Sequence, residues 1–282
     1  MSIAAERCES AEALVLVTRD PRDLAAIARA DVQAVIHTPL TPPGWLADVA
    51  VAVETGRLRI ARSVLPRATR EEIAAWLEGA IGVGMLDEPA RGCLIADILG
   101  LADRLGELAS ADGSLRARRF MLRIFTEEPT TECGFHVDTV PPAAPGFGIM
   151  RVYNGAGTLY AEPDNVTSMA DVYRDLGERA ELVKARTRAR QARDAGAFER
   201  LERLIAAHDA VRPFLRRPAQ VAQAPAGSVV AFRHVDVRRH GSDHAKAEAW
   251  LHCSPMAGAA RLVVNLTVPQ PAHRHFDAPR AH

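Results

Sequence analysis

The spacing of apolar residues changes character part-way along the chain. Ala13 to Val17 is a short run rich in Val and Leu, Pro21 to Ala30 sets its apolar residues three and four apart, and Val32 to Ile36 is again a β-branched run. These segments read strand, helix, strand. Pro43 to Val53, Thr69 to Ala80 and Ala90 to Leu108 keep the helical spacing, and Thr69 with Glu71 and Glu72 resembles a helix start. Residues 1–112 are therefore expected to form a mostly helical N-terminal layer.

From Ser114 the period shortens. Leu115 to Phe125, Ile149 to Tyr153, Thr158 to Tyr160, Ser228 to Phe232, Ala249 to His252 and Arg261 to Val268 are short, alternating and separated by Gly and Pro, the pattern of an antiparallel sandwich or barrel. Asn154 to Gly157 reads as a hairpin turn. Glu178 to Ala207, rich in Ala, Arg, Glu and Leu, predicts one or two helices inserted between strands, with the insertion spanning about 166–216. The expected organisation is a β domain over 113–268 and a loose tail over 269–282.

Composition narrows the class. The chain has 282 residues, 48% of them hydrophobic and 25% charged, and a formal net charge of zero, which suits a packed globular fold and gives no global attraction to nucleic acid or anionic lipid. Its first apolar run is too short for a signal peptide core or a membrane span. Cys8, Cys93, Cys133 and Cys253 form no Cys-x-x-Cys pair, so neither a disulfide framework nor a thiolate zinc knuckle is written here. A reducing cytoplasm is the expected compartment.

Candidate chemistry starts at His136-Val137-Asp138, where an extended segment aims both polar residues at one face. The tripeptide recurs at His234-Val235-Asp236, so a further constraint is needed. Leu251-His252-Cys253-Ser254-Pro255 provides it, followed nine positions after His252 by Arg261. Two His and one carboxylate with open positions suit non-haem Fe(II), and an Arg one strand on suits a carboxylate clamp. Spacing selects the first copy: 114 positions separate Asp138 from His252, room for several strands and the inserted helices, whereas only 16 separate Asp236 from it.

The order His-x-Asp, distal His, then Arg resembles the Fe(II)/2-oxoglutarate-dependent dioxygenases over roughly residues 115–268. That resemblance implies an α+β protein with a double-stranded β-helix (jelly roll) core. It also implies Fe(II) held by His136, Asp138 and His252, and 2-oxoglutarate as a small-molecule cosubstrate whose far carboxylate meets Arg261. Tyr153 or Arg123 offers a further hydrogen bond to the bound acid. Phe135-His136-Val137-Asp138, continuing to Pro142, then Tyr153 to Thr158 and His252-Cys253-Ser254-Pro255, are similar to an uncharacterised bacterial family of unknown function whose members often lie beside zinc-homeostasis genes. In that family Arg usually stands where this chain has Cys253, and the connection before the final strands is shorter. This resemblance implies a second reading, a non-catalytic zinc-binding or zinc-homeostasis protein on the same scaffold.

His234, Asp236, His240, Asp243 and His244 crowd into eleven residues and offer a possible secondary metal site at His234, His240 and His244; the competing reading is an exposed polar loop. Cys133 and Cys253 flank the proposed ligands, so either packs in the core or adds soft thiolate character that favours zinc.

Overall fold

The computed structural model describes residues 13–111, 119–128, 134–142 and 146–269. The expected strand start at Leu115, the tail from 270 onward, and Cys8 and Cys133 lie outside the described residues.

The N-terminal segment contains strands β1 (Leu14–Thr18), β2 (Val32–His37) and β3 (Ser63–Ala68) and helices α1 (Trp45–Glu54), α2 (Arg70–Ala80) and α3 (Glu88–Ala111). Pro21–Ala28 winds as a 3-10 helix. The start of α2 is a full capping box. Thr69 Oγ1 accepts from the Glu72 amide at 3.2 Å, and the Glu72 carboxylate accepts from the Thr69 amide at 2.7 Å. This segment is more than a helical layer, because all three of its strands join the main sheet. β3 escapes the sequence pattern because Pro66 and Arg67 interrupt it, and its register with the next strand slips between Leu65 and Ala68.

The remaining elements are β4 (Phe120–Glu127), β5 (Thr139–Val140), β6 (Phe147–Val152), β7 (Leu159–Tyr160), α4 (Met169–Gln191), α5 (Ala195–Val211), β8 (Ala222–Gln223), β9 (Val229–Arg233), β10 (Val235–Asp236), β11 (His252–Cys253) and β12 (Arg261–Thr267). They give a mixed α+β fold with a large, mainly antiparallel sheet. Its seven strands run β1-β2-β9-β6-β12-β4-β3, with only β1 and β2 parallel. A three-stranded sheet runs β11-β7-β8, and β5 pairs with β10 in parallel. An antiparallel bridge between His136 and His252 ties the segment before β5 to β11.

Period-two alternation gives the large sheet two different faces. Leu262, Val264 and Leu266 of β12 pack with Ile98, Leu105 and other residues of the helices. Met150, Val230 and Phe232 turn the other way, toward Tyr160 and Trp250. Asn154 to Gly157 turns as expected, with Gly155 at φ +67°, but it is no hairpin. β6 belongs to the large sheet and β7 to the small one, so the turn carries the chain across from one to the other. Helices α4 and α5 lie between β7 and β8 and are joined by buried Arg179–Asp209 at 2.7 Å and by Arg186–Glu202 at 2.6 Å.

Candidate metal centre

The bridge between His136 and His252 brings together residues that are 116 positions apart in the chain. Backbone bonds run both ways across it, His136 N to His252 O at 2.8 Å and His252 N to His136 O at 3.0 Å. The two rings lie 4.5 Å apart. Asp138, two residues on, points to the same side as His136. One ligand atom from each of His136, Asp138 and His252 lies within 4.8 Å of the others, the one such group of His, Cys, Asp or Glu among the described residues.

Each imidazole is oriented from behind by a carbonyl two residues earlier. His136 Nδ1 lies 2.9 Å from Gly134 O, and His252 Nδ1 lies 3.0 Å from Trp250 O. A carbonyl accepts only from N–H, so the proton sits on Nδ1 and the lone pair is on Nε2 in both rings. Stacking on Trp250, with ring centroids 4.5 Å apart and 16° between planes, fixes the His252 ring further.

Burial and neighbouring charge set the protonation states. Burial pushes the Asp138 carboxyl up, but His252, His234, His136 and Arg123 together pull it further down, to about 2. Burial, reinforced by His136, pushes His252 down to about 4 against the pull of Asp138. At neutral pH the group is a carboxylate with a neutral His252 imidazole, the state in which such side chains bind a metal. The donors present, two imidazole nitrogens and a carboxylate, fit a first-row divalent ion with positions left for small ligands.

The other candidate residues scatter. His234 does not join His240 and His244. It turns inward, 5% exposed, with Nε2 3.9 Å from Asp138 Oδ2. His240 and His244 pack on Tyr173 instead, His244 Nε2 lying 2.8 Å from the phenol oxygen. The proposed secondary metal site is therefore not assembled. The spacing that marks His234 as inward-facing is Val230, Phe232, His234, alternate positions of one strand continued. Gly148 makes room for the ring, since a Cβ there would stand 2.9 Å from its Cε1.

Tyr153 lies on the opposite face of the sheet. Its ring joins the helix-facing core, and its hydroxyl donates to Asp97 of α3 at 2.7 Å, beside an Arg151–Asp97 ion pair. A phenol on that side of the sheet does not reach the triad. Cys253 neighbours His252 in sequence but packs with Phe135 and Val137 in a separate apolar cluster, because adjacent strand residues point to opposite faces. Arg123 and Arg261 both share the inner face with Asn265. Arg261 is buried with Nη1 donating to Ala156 O at 3.0 Å.

No family model matches the chain, and no curated protein matches it. Among solved structures it is similar to the rice dioxygenase for auxin oxidation, with 12% identity, coverage of 95% of this chain and 88% of that one, and a TM-score of 0.38. A prolyl-4-hydroxylase from Pseudomonas putida gives 12% identity, 88% and 100% coverage, and a TM-score of 0.39. Dioxygenase for auxin oxidation 1 from Arabidopsis thaliana, in a binary complex with 2-oxoglutarate, gives 10% identity, 92% and 93% coverage, and a TM-score of 0.40. Among the described residues no helix is long and apolar enough to cross a membrane.

Proposed function

We propose that the chain is a mononuclear non-haem Fe(II) oxygenase that uses 2-oxoglutarate as cosubstrate and is built on a double-stranded β-helix. The observation that carries this reading is the convergence of the half-buried His136 and Asp138 with the buried His252 across a backbone bridge. Strand order supports the scaffold. β4, β12, β6 and β9 are successive partners in the large sheet, while β7, β8 and β11 form the small one, so the chain passes repeatedly between the two layers.

Fe(II) held there supplies O₂ activation coupled to oxidation of the 2-oxo acid. The chain supplies the rest. His136 and His252 present lone pairs from rings fixed by their Nδ1 bonds, and Asp138 stays ionised at working pH. Phe232, Trp250 and Tyr160 wall the interior with apolar surface, which limits water at the site.

Anaerobic Fe(II) titration of metal-free protein, followed by 2-oxoglutarate, tests the reading. One equivalent of metal and a visible charge-transfer absorption are expected. His136→Ala abolishes both, because water does not replace one of three protein ligands at an affinity-limited site. Tight zinc retention without any response to 2-oxoglutarate overturns the oxygenase reading in favour of zinc handling, for which the same donor set is adequate.

A further inference from the structure

The inner face of the large sheet carries two arginines in contrasting surroundings. On β12, Arg261, Val263, Asn265 and Thr267 share this face, and the register with β4 sets Glu127 opposite Arg261 and Arg123 opposite Asn265. Four strand positions separate the two pairs, about 13 Å by the usual rise per residue. Arg261 is engaged at the far end through Nη1, while its buried Nε has no partner among the described residues. It donates to Ala156 O at 3.0 Å, its stem crosses Gly155, and the charges that act on it are Glu127 and Cys253.

The Arg123 guanidinium makes no hydrogen bond or ion pair among the described residues, and its charge acts on both Asp138 and His234. Around it stand buried polar atoms without partners: Asn265 Oδ1, Thr267 Oγ1 and both ring nitrogens of His234. These three residues are 9%, 5% and 5% exposed. Leaving so many polar atoms unpaired inside a fold is costly, and such a cluster is completed by bound water or by a polar ligand. Each can donate to a carboxylate: the Thr hydroxyl by rotation, the Asn amide by exchanging its O and N, and the imidazole from its N–H.

We propose that Arg123, not Arg261, receives the far carboxylate of the 2-oxo diacid bound at the triad, with Asn265, Thr267 and His234 completing its hydrogen bonds. Arg261 then serves as a positioning residue for the 154–157 turn. The assignment rests on the oxygenase reading above.

The test is equilibrium binding of 2-oxoglutarate and of 2-oxobutyrate, which lacks the far carboxylate, to anaerobic Mn(II)-loaded protein. Wild type is expected to prefer 2-oxoglutarate. Arg123→Met should keep its Mn(II), bind 2-oxoglutarate about 100-fold more weakly, as for loss of one partner of a desolvated charge pair, and lose the preference. Arg261→Met should keep the preference and shift affinity less than about threefold while lowering Tm. The reverse pattern, with preference lost in Arg261→Met and kept in Arg123→Met, overturns the assignment and leaves the oxygenase reading standing. Wild type that holds Mn(II) but binds neither acid overturns that reading, and the assignment with it. Should Arg123→Met fail to hold Mn(II), Arg123→Gln, which keeps a polar side chain but removes the charge, decides. A reduced preference with native circular dichroism supports the assignment, and an undiminished one overturns it.

Discussion

Single residues set the chemistry and the pH response of this site. His234 and His252 are both held at about 4, chiefly by burial, against an ordinary value of 6.5. Each folded-state value is depressed, so the unfolded chain takes up these protons first. The stability of the metal-free protein is therefore complete above pH 6.5 and is lost as pH falls from there to about 4. The loss is on the order of 3 kcal/mol per histidine. Urea unfolding of metal-free protein across that window should show it, and His234→Gln should remove about half; a flat profile would contradict buried neutral rings. Sequence spacing alone selected the first His-Val-Asp copy. It could not place His234 beside that copy, because strand pairing, not chain separation, lays the second copy along the first: Val235 N donates to Asp138 O at 2.9 Å.

At the scale of elements, the helical layer is fastened to the sheet by polar contacts as well as by apolar packing. Asp97 of α3 takes both the Tyr153 hydroxyl and Arg151. Tyr153→Phe should cost about 1 kcal/mol in chemical denaturation by leaving part of that half-buried carboxylate unpaired, with metal and 2-oxoglutarate binding unchanged. A loss of cosubstrate affinity would return Tyr153 to the pocket. The crossing from β6 to β7 depends on Gly157, where an added Cβ would collide with the Ala224 carbonyl, a backbone atom that side-chain adjustment cannot move. Gly157→Ala should therefore lower stability by more than about 2 kcal/mol, read as a fall in Tm. Most elements were legible because periodicity and end signals agree, as at Thr69. β3 was not, since its place in the sheet comes from pairing with β4 rather than from its own interrupted pattern.

For the molecule as a whole, the candidate ligands arrive from two segments that only the closed fold unites, so metal binding and folding are linked. A divalent ion at 100 times its Kd should add about 2.7 kcal/mol of stability, seen as a rise in Tm that His252→Ala abolishes. A rise that persists in the variant would place the metal elsewhere. The sequence by itself determined the change from helical to strand periodicity, the inserted helical pair, and a His, Asp and His in the order a three-ligand site requires. Local alternation, capping chemistry and chain spacing are enough for those. Only the tertiary structure decided that His240 and His244 turn to Tyr173 while His234 turns inward, that Tyr153 faces α3, and that the charge of Arg123 acts on Asp138. Those outcomes depend on which strand lies beside which and on the face each residue is given by that register, and neither is encoded within reach of a single element.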